Sequence, residues 1–141
     1  VSGRIVEAGA ADREAVVALW HAVGLTRPWN DPDADFNLAC RGETSAILLA
    51  RDGEGELAGT VMVGFDGHRG WVYYLGVREE WRGQGVARAL MAACEAWLIA
   101  RGCPKVQLMV RGDNRAALGF YDAIGYAAQD VVTLGRRLDG A

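Results

Sequence analysis

Several residue types are scarce in this chain, and each shortage removes a class of explanation. Lysine occurs once, at Lys105; the remaining basic side chains are arginines, and 15 basic against 18 acidic residues leave a net charge of -3. That balance supplies no global basic field for nucleic acid. Cysteine occurs only at Cys40, Cys94 and Cys103, an odd number without CxxC spacing. This argues against a disulfide framework and a zinc site, and makes a reducing cytoplasm the default location. His21 and His68, the only histidines, stand far apart in sequence, so metal ligation has little support. No apolar run approaches the roughly 20 residues needed to span a bilayer. The opening "VSGRIVEAGA" lacks the apolar core of a signal peptide.

Apolar residues, by contrast, make up 51% of the 141-residue chain, enough for the core of a single domain over residues 1–141. "RIVEAG" reads as a short strand, and Asp12 is placed to cap a helix through His21, where Val16, Leu19, Trp20 and Val23 recur at helical spacing. The connection "LTRPWNDPDADF" follows, with a short helix expected from Asp35 to Arg41. "SAILLAR", "LAGTVMVGF" and "WVYYLGV", separated by the turn signals "DGEGE" and "DGHRG", read as an antiparallel meander. From Val86, apolar residues again fall on one helical face until Gly102 and Pro104 stop the helix. "KVQLMV" is a strand which, with a helix before it, should lie parallel to "WVYYLGV". Asp113 or Asn114 can cap a further helix through Ile124, and "YAAQDVVTLGRRL" ends the chain with strand character. The order predicts an α/β (α+β) fold: a mixed sheet with flanking helices.

The stretch with chemical content is "LGVREEWRGQGVARAL", Leu75 to Leu90. A strand ends, a loop turns on Gly83 and Gly85, and a helix begins. Glycines allow a tight turn and close backbone approach, and the free N–H groups of Gly83, Gln84, Gly85, Val86, Ala87 and Arg88 can converge on an anion favoured by the helix dipole. A phosphate or pyrophosphate is the expected ligand, with Arg82 and Arg88 available for charge-assisted bonds. A Walker loop is absent, and Gly83-Gln84-Gly85 is not followed by the third glycine of a dinucleotide fingerprint, so a nucleotide-binding domain is disfavoured. Taken alone, two glycines before a helix are also an ordinary helix start.

"RGQGVA", following the strand end "LGV", resembles the R/Q-x-x-G-x-G/A signature of the GNAT superfamily of N-acetyltransferases. "NRAALGFYDAIGY", Asn114 to Tyr126, is similar to that family's second motif; "LTRPWNDP", "FDGHRG", "YYLGV" and "ARGCPK" resemble bacterial YpeA-like members. The resemblance implies a GNAT-like acyl-CoA N-acyltransferase fold, mostly antiparallel with one splayed parallel strand pair, and acetyl-CoA as cosubstrate with no metal. It implies acetyl transfer to a primary amine of a small molecule or peptide, with the pantetheine arm along Leu75, Gly76 and Val77. Asn114 would contact the cofactor, and Tyr121 would supply a proton or hydrogen bond to the leaving thiolate. A homodimer would be typical of the family; neither nucleic acid nor membrane is implied as a partner.

The general base stays open. The strand position that carries a glutamate in the ribosomal-protein N-terminal acetyltransferases corresponds to Met109, which cannot act as a base. Asp31, Asp66, His68, Glu79, or water held by Tyr73 or Tyr74, are alternatives. Tyr73 and Tyr74 should point to opposite faces of their strand. Asp66 and His68 flank Gly67 at a hairpin tip, where turn chemistry for Asp66 and a solvated His68 are the favoured explanation. In "LTRPWNDPDADF", Arg27, Trp29, Asn30 and Asp31 are candidate acceptor-side residues on a loop stiffened by Pro28 and Pro32. The competing reading is a catalytically weak acyl-CoA sensor, favoured by Met109.

Overall fold

The computed structural model describes residues 4–140. They divide into two compact units, the first ending at Met109 and the second beginning at Val110.

The first unit holds a five-stranded sheet: β1 (Arg4–Glu7), β2 (Ser45–Arg51), β3 (Leu57–Phe65), β4 (Gly70–Val77) and β5 (Val106–Leu108), side by side in chain order. β1 to β4 pair antiparallel, while β5 runs parallel to β4. Three helices cover it: α1 (Arg13–Ala22), α2 (Pro32–Arg41) and α3 (Val86–Ala100). β2 is buried on both faces, which explains its unbroken apolar run. Ile47 and Leu49 join Val16, Leu19, Trp20 and Phe36 of α1 and α2 in one core cluster. By strand alternation Ala46, Leu48 and Ala50 turn to the other face, where α3 offers Val86, Leu90, Met91, Cys94 and Leu98. Cys94 is a core residue; burial, with Glu95 adding to it, pushes its thiol up to about 12.

Two helix starts differ from the sequence reading. Asp12 holds the N-cap position of α1, as expected, but its side chain makes no capping bond. A short turn precedes the helix, and the Asp12 carboxylate reaches back to the Gly9 N–H at 2.9 Å and to Arg51 at 2.7 Å. α2 begins at Pro32, not Asp35, because Asp31 caps it. The Asp31 carboxylate accepts from the Ala34 N–H at 3.2 Å, and Pro32 fills the first helical position, where a missing N–H costs nothing.

β4 carries the decisive irregularity. Met62 of β3 pairs with Tyr73, and Thr60 with Gly76, so Tyr74 and Leu75 together face Val61. This is a β-bulge, and Tyr74 adopts φ +55, the one positive φ among the described non-glycine residues. The bulge inverts alternation. A Cβ built on Gly70 would meet Leu98 of α3, whereas one on Gly76 would meet Leu25 and Val23 from the α1 side. Tyr73 and Tyr74 therefore do not oppose one another: both face the side covered by α1 and α2.

Packing fixes the bulge. The Tyr74 ring stacks on Trp20 with centroids 3.8 Å apart and planes at 11°. The Trp20 Nε1–H donates to Thr60 Oγ1 at 3.0 Å, and the Thr60 hydroxyl donates to the Tyr74 carbonyl at 3.2 Å. Thr60 is fully buried.

The second unit contains α4 (Arg115–Ala123), whose N-cap is Asn114: its side chain accepts from the Ala117 N–H at 3.1 Å. Gly125, at φ +97, follows its end. Among the described residues no strand follows α4, so the closing strand expected of "YAAQDVVTLGRRL" is not formed. Strand preference reflects packing on a pleated, half-buried surface. Val131, Val132, Leu134 and Leu138 have no such surface and are exposed.

Thr60→Val keeps the shape of the buried side chain but leaves the Trp20 N–H and the Tyr74 carbonyl without their partner. The expected loss is about 1–3 kcal/mol of stability, read as a lowered urea midpoint with unchanged slope.

Candidate active site

The loop between β4 and α3 is built to leave backbone N–H groups open. Gly83 and Gly85 adopt φ +76 and +84, and Gly85 is the N-cap of α3. Left-handed backbone at these two points is why glycine is required. No side chain caps the helix, and a Cβ at either glycine would meet nothing within 4 Å. The backbone bond from the Ala89 N–H to the Gly85 carbonyl, at 3.0 Å, closes the first helical turn. The N–H groups of Val86, Ala87 and Arg88 precede it and have no acceptor within the helix. Gln84 ties the loop by donating to the Glu80 carbonyl at 3.2 Å, and Arg82 by donating to the Val77 carbonyl at 3.4 Å. Arg82 and Arg88 are exposed beside this opening. Positive dipole, free N–H groups and two guanidinium groups make an anion cradle.

The cradle continues into an open strand edge. β5 pairs only with Gly70, Trp71 and Val72 of β4, so beyond Val72 that edge is unpaired within the first unit. On the other side, the Arg78 N–H bonds to the Ala58 carbonyl at 2.8 Å. Antiparallel alternation then turns the Val77 N–H toward the open edge. Leu75, Gly76 and Val77 thus lie beside the Arg82–Arg88 loop, as the Arg82–Val77 bond shows. Gly76 has a packing role as well, since its bare Cα lets Leu19, Val23 and Leu25 approach.

On the sheet face covered by α1 and α2 lies a cavity of about 530 Å³. Leu25 and Asn30 of the α1–α2 connection border it, with Asp35 and Leu38 of α2. Met62 of β3 and both Tyr73 and Tyr74 of β4 complete its main walls. The Tyr74 hydroxyl donates to Asp35 Oδ2 at 2.6 Å. Burial first, then this bond and the Asp35 charge, push the Tyr74 phenol well above its ordinary value, so it stays a donor. Burial and the charge of Asp66 also raise Tyr73.

Of the loop residues singled out from sequence, only Asn30 lines this cavity. Arg27 folds back to donate to the carbonyls of Gly24 and Thr26 at 3.0 and 2.8 Å, bracing its own loop. Trp29 is 56% exposed, and Asp31 is the helix cap already described. Asp66 accepts from the N–H groups of His68 and Arg69, both at 2.8 Å. These bonds hold its carboxyl below the usual range and account for it as a turn residue. His68 and Glu79 are exposed. Asn114 and Tyr121 share α4 in the second unit, where Tyr121 makes edge contacts with Phe120 and Tyr126 at 5.0 and 5.8 Å. The sequence reading missed Asp35 and Leu38. Their (i, i+3) spacing fell within the helix expected from Asp35 to Arg41, but nothing local tied that face to Tyr73 and Tyr74.

Among the described residues no group of His, Cys, Asp and Glu could hold a metal ion, and no helix is long and apolar enough to cross a membrane.

Comparison with known proteins matches this architecture. The model of the acetyltransferase (GNAT) family matches residues 15–126. An acetyltransferase of Pectobacterium atrosepticum is 50% identical over 127 residues, 90% of this chain and 89% of that protein. The solved structure of AAC(6')-Iy with a bisubstrate analogue, CoA-S-monomethyl-acetylneamine, superposes with a TM-score of 0.83 at 18% identity, covering 97% of this chain and 99% of that one. Glucosamine-6-phosphate N-acetyltransferase from Arabidopsis thaliana gives a TM-score of 0.73 at 18% identity, with 99% and 100% covered. At such identities the superpositions speak for the fold, and the family model with the half-identical relative speaks for descent. The chain belongs to the acetyltransferase (GNAT) family, a family of N-acetyltransferases.

Proposed function

We propose that this protein binds acetyl-CoA and transfers its acetyl group to a primary amine, of a small molecule or a peptide, by direct attack on the thioester. The observation that carries the reading is the uncapped start of α3, with Gly83 and Gly85 in left-handed backbone, adjoining the β4 edge that β5 leaves free. A pyrophosphate fits the N–H groups from Gly83 to Arg88, with Arg82 and Arg88 as counter-charges. An amide-bearing arm fits the open edge at Leu75, Gly76 and Val77, adding like a strand. The solved relative AAC(6')-Iy in complex with CoA supports this choice of ligand.

Bound acetyl-CoA supplies an activated acyl group. The amine nitrogen forms a bond to the carbonyl carbon, the carbon–sulfur bond breaks, the amine loses a proton and the thiolate gains one. The Val77 N–H is suited to hold the charge that develops on the carbonyl oxygen. Tyr121 is the residue proposed to donate to the departing sulfur, and Asn114, besides capping α4, to contact the cofactor. Met109 stands where some relatives' base would be, and it is half exposed at 52%. This favours a second reading, an acyl-CoA-binding sensor without turnover. A cytoplasmic location belongs to the proposal, since three free thiols suit a reducing compartment.

Gly85→Glu places a carboxylate in the anion cradle, and CoA affinity should fall at least tenfold by calorimetry with the circular dichroism spectrum retained. Gly85→Ala is the control for backbone strain alone and should lose less. Equal affinity in Gly85→Glu and wild type would put the phosphate site elsewhere. Tyr121→Phe should lower kcat roughly 100-fold, the lower range for a general acid, with CoA affinity unchanged in a thiol-release assay. CoA binding without thiol release across a broad amine panel would leave the sensor reading standing.

A further inference from the structure

The cavity beside β4 has a chemistry of its own. Among the described residues its wall carries a single formal charge, the Asp35 carboxylate. That carboxylate is held in place: Oδ2 accepts from Tyr74, whose ring is clamped on Trp20. Oδ1 has no partner among the described residues. Two of the other polar groups are committed. The Ser45 hydroxyl donates to the Ala39 carbonyl at 2.8 Å, and the Tyr74 hydroxyl is engaged with Asp35. Asn30 and the Tyr73 phenol are further polar members of the wall, and the rest of the surface is supplied by Leu25, Leu38, Ala39, Met62 and the tyrosine rings. Among the described residues no cationic side chain lines the cavity; Arg27 turns back into its own loop. A volume of about 530 Å³ suits a small organic molecule. Tyr73 and Tyr74 immediately precede the open edge at Leu75–Val77, so cavity and edge share one strand.

We infer that this cavity is the acceptor pocket for a small amine with one positive charge and an apolar body, and that Asp35 binds the ammonium group. The inference rests on the acetyl-transfer reading for the fate of the amine, although binding can be tested without it. A carboxylate with one oxygen fixed and one open suits a single ammonium group. The apolar wall gains from an alkyl or aryl body. An acceptor with its own carboxylate would face Asp35 with no counter-charge. A polycation or polyhydroxylated sugar would leave charges or hydroxyls against apolar surface. Tyr74 acts through Asp35 and is a positioning residue.

The test pairs binding with turnover. Phenethylamine is the probe; phenylalanine, which adds a carboxylate to the same body, spermidine and glucosamine are the comparisons. Calorimetry on the full chain should show phenethylamine bound at least tenfold more tightly than any of the three. Asp35→Asn should weaken it at least tenfold while leaving CoA affinity unchanged. Leu38→Ala removes apolar wall from an exposed position, so folding is not at issue, and should weaken the amine severalfold. Tyr74→Phe keeps the stacked ring and should raise the amine KM with little change in kcat. Phenylalanine bound as well as phenethylamine, or unchanged affinity in Asp35→Asn, would overturn the inference. Thiol release with spermidine or glucosamine but no binding of phenethylamine would overturn it and leave acetyl transfer intact. Asp35-dependent binding of phenethylamine with no thiol release from any amine would uphold the pocket and sink the transfer reading.

Discussion

Tyr74 sits in left-handed backbone, a conformation that costs a non-glycine residue about 1–3 kcal/mol. It is held there from several sides. Its ring lies flat on Trp20, its carbonyl accepts from the buried Thr60 hydroxyl, and its phenol donates to Asp35. Stacking and a charge-assisted hydrogen bond are each of a size to offset such strain. Much of the remaining architecture depends on this residue. The bulge lies just past Val72, where the pairing of β4 with β5 ends, and the β4 edge left unpaired within the first unit leads to the loop before α3. It also brings two consecutive tyrosines to one face, so that β4 builds a cavity wall just before it presents its open edge.

The sheet accommodates this bend through two glycines. A Cβ on Gly59 would lie 2.9 Å from the Gly76 carbonyl oxygen and press on Leu90 and Val86 of α3. A Cβ on Gly76 would lie 2.7 Å from Leu25 and 2.9 Å from Val23. The two strands therefore cross the bulge with α3 against one side and the end of α1 against the other. The α1–α2 connection is pinned for the same reason: Leu25 packs down on Gly76 while Arg27 braces the turn above it. Two prolines and an aspartate cap hold its far end rigid. A pocket wall rather than a loose tether is the result.

The meander and α3 were legible in the sequence because each obeys one local rule: alternating or continuous apolar strands between turn residues, and an apolar stripe at helical spacing. The cap of α4 was legible only as Asp113 or Asn114, and the structure gives it to Asn114. The bulge was not, because nothing in "WVYYLGV" marks where alternation inverts; the reason lies in Trp20 and Thr60, far away in sequence. "YAAQDVVTLGRRL" misled in the opposite direction. Its composition favours a strand, but a ladder needs a partner that composition does not supply.

The same contrast separates the two halves of the site. The proposed anion site draws on backbone N–H groups, so the sequence need only provide glycines, a helix start and nearby arginines in one short run. That is a local demand, and local demands appear as motifs. The cavity works through side chains, which arrive from the α1–α2 connection, α2, β3 and β4 and meet only after the sheet and its bulge have formed. No spacing rule joins Asp35 to Tyr74, 39 residues apart. Recognition of the family therefore leaves the acceptor unspecified, and it is the inferred pocket, with its anchored Asp35 carboxylate, that gives a chemical criterion for one.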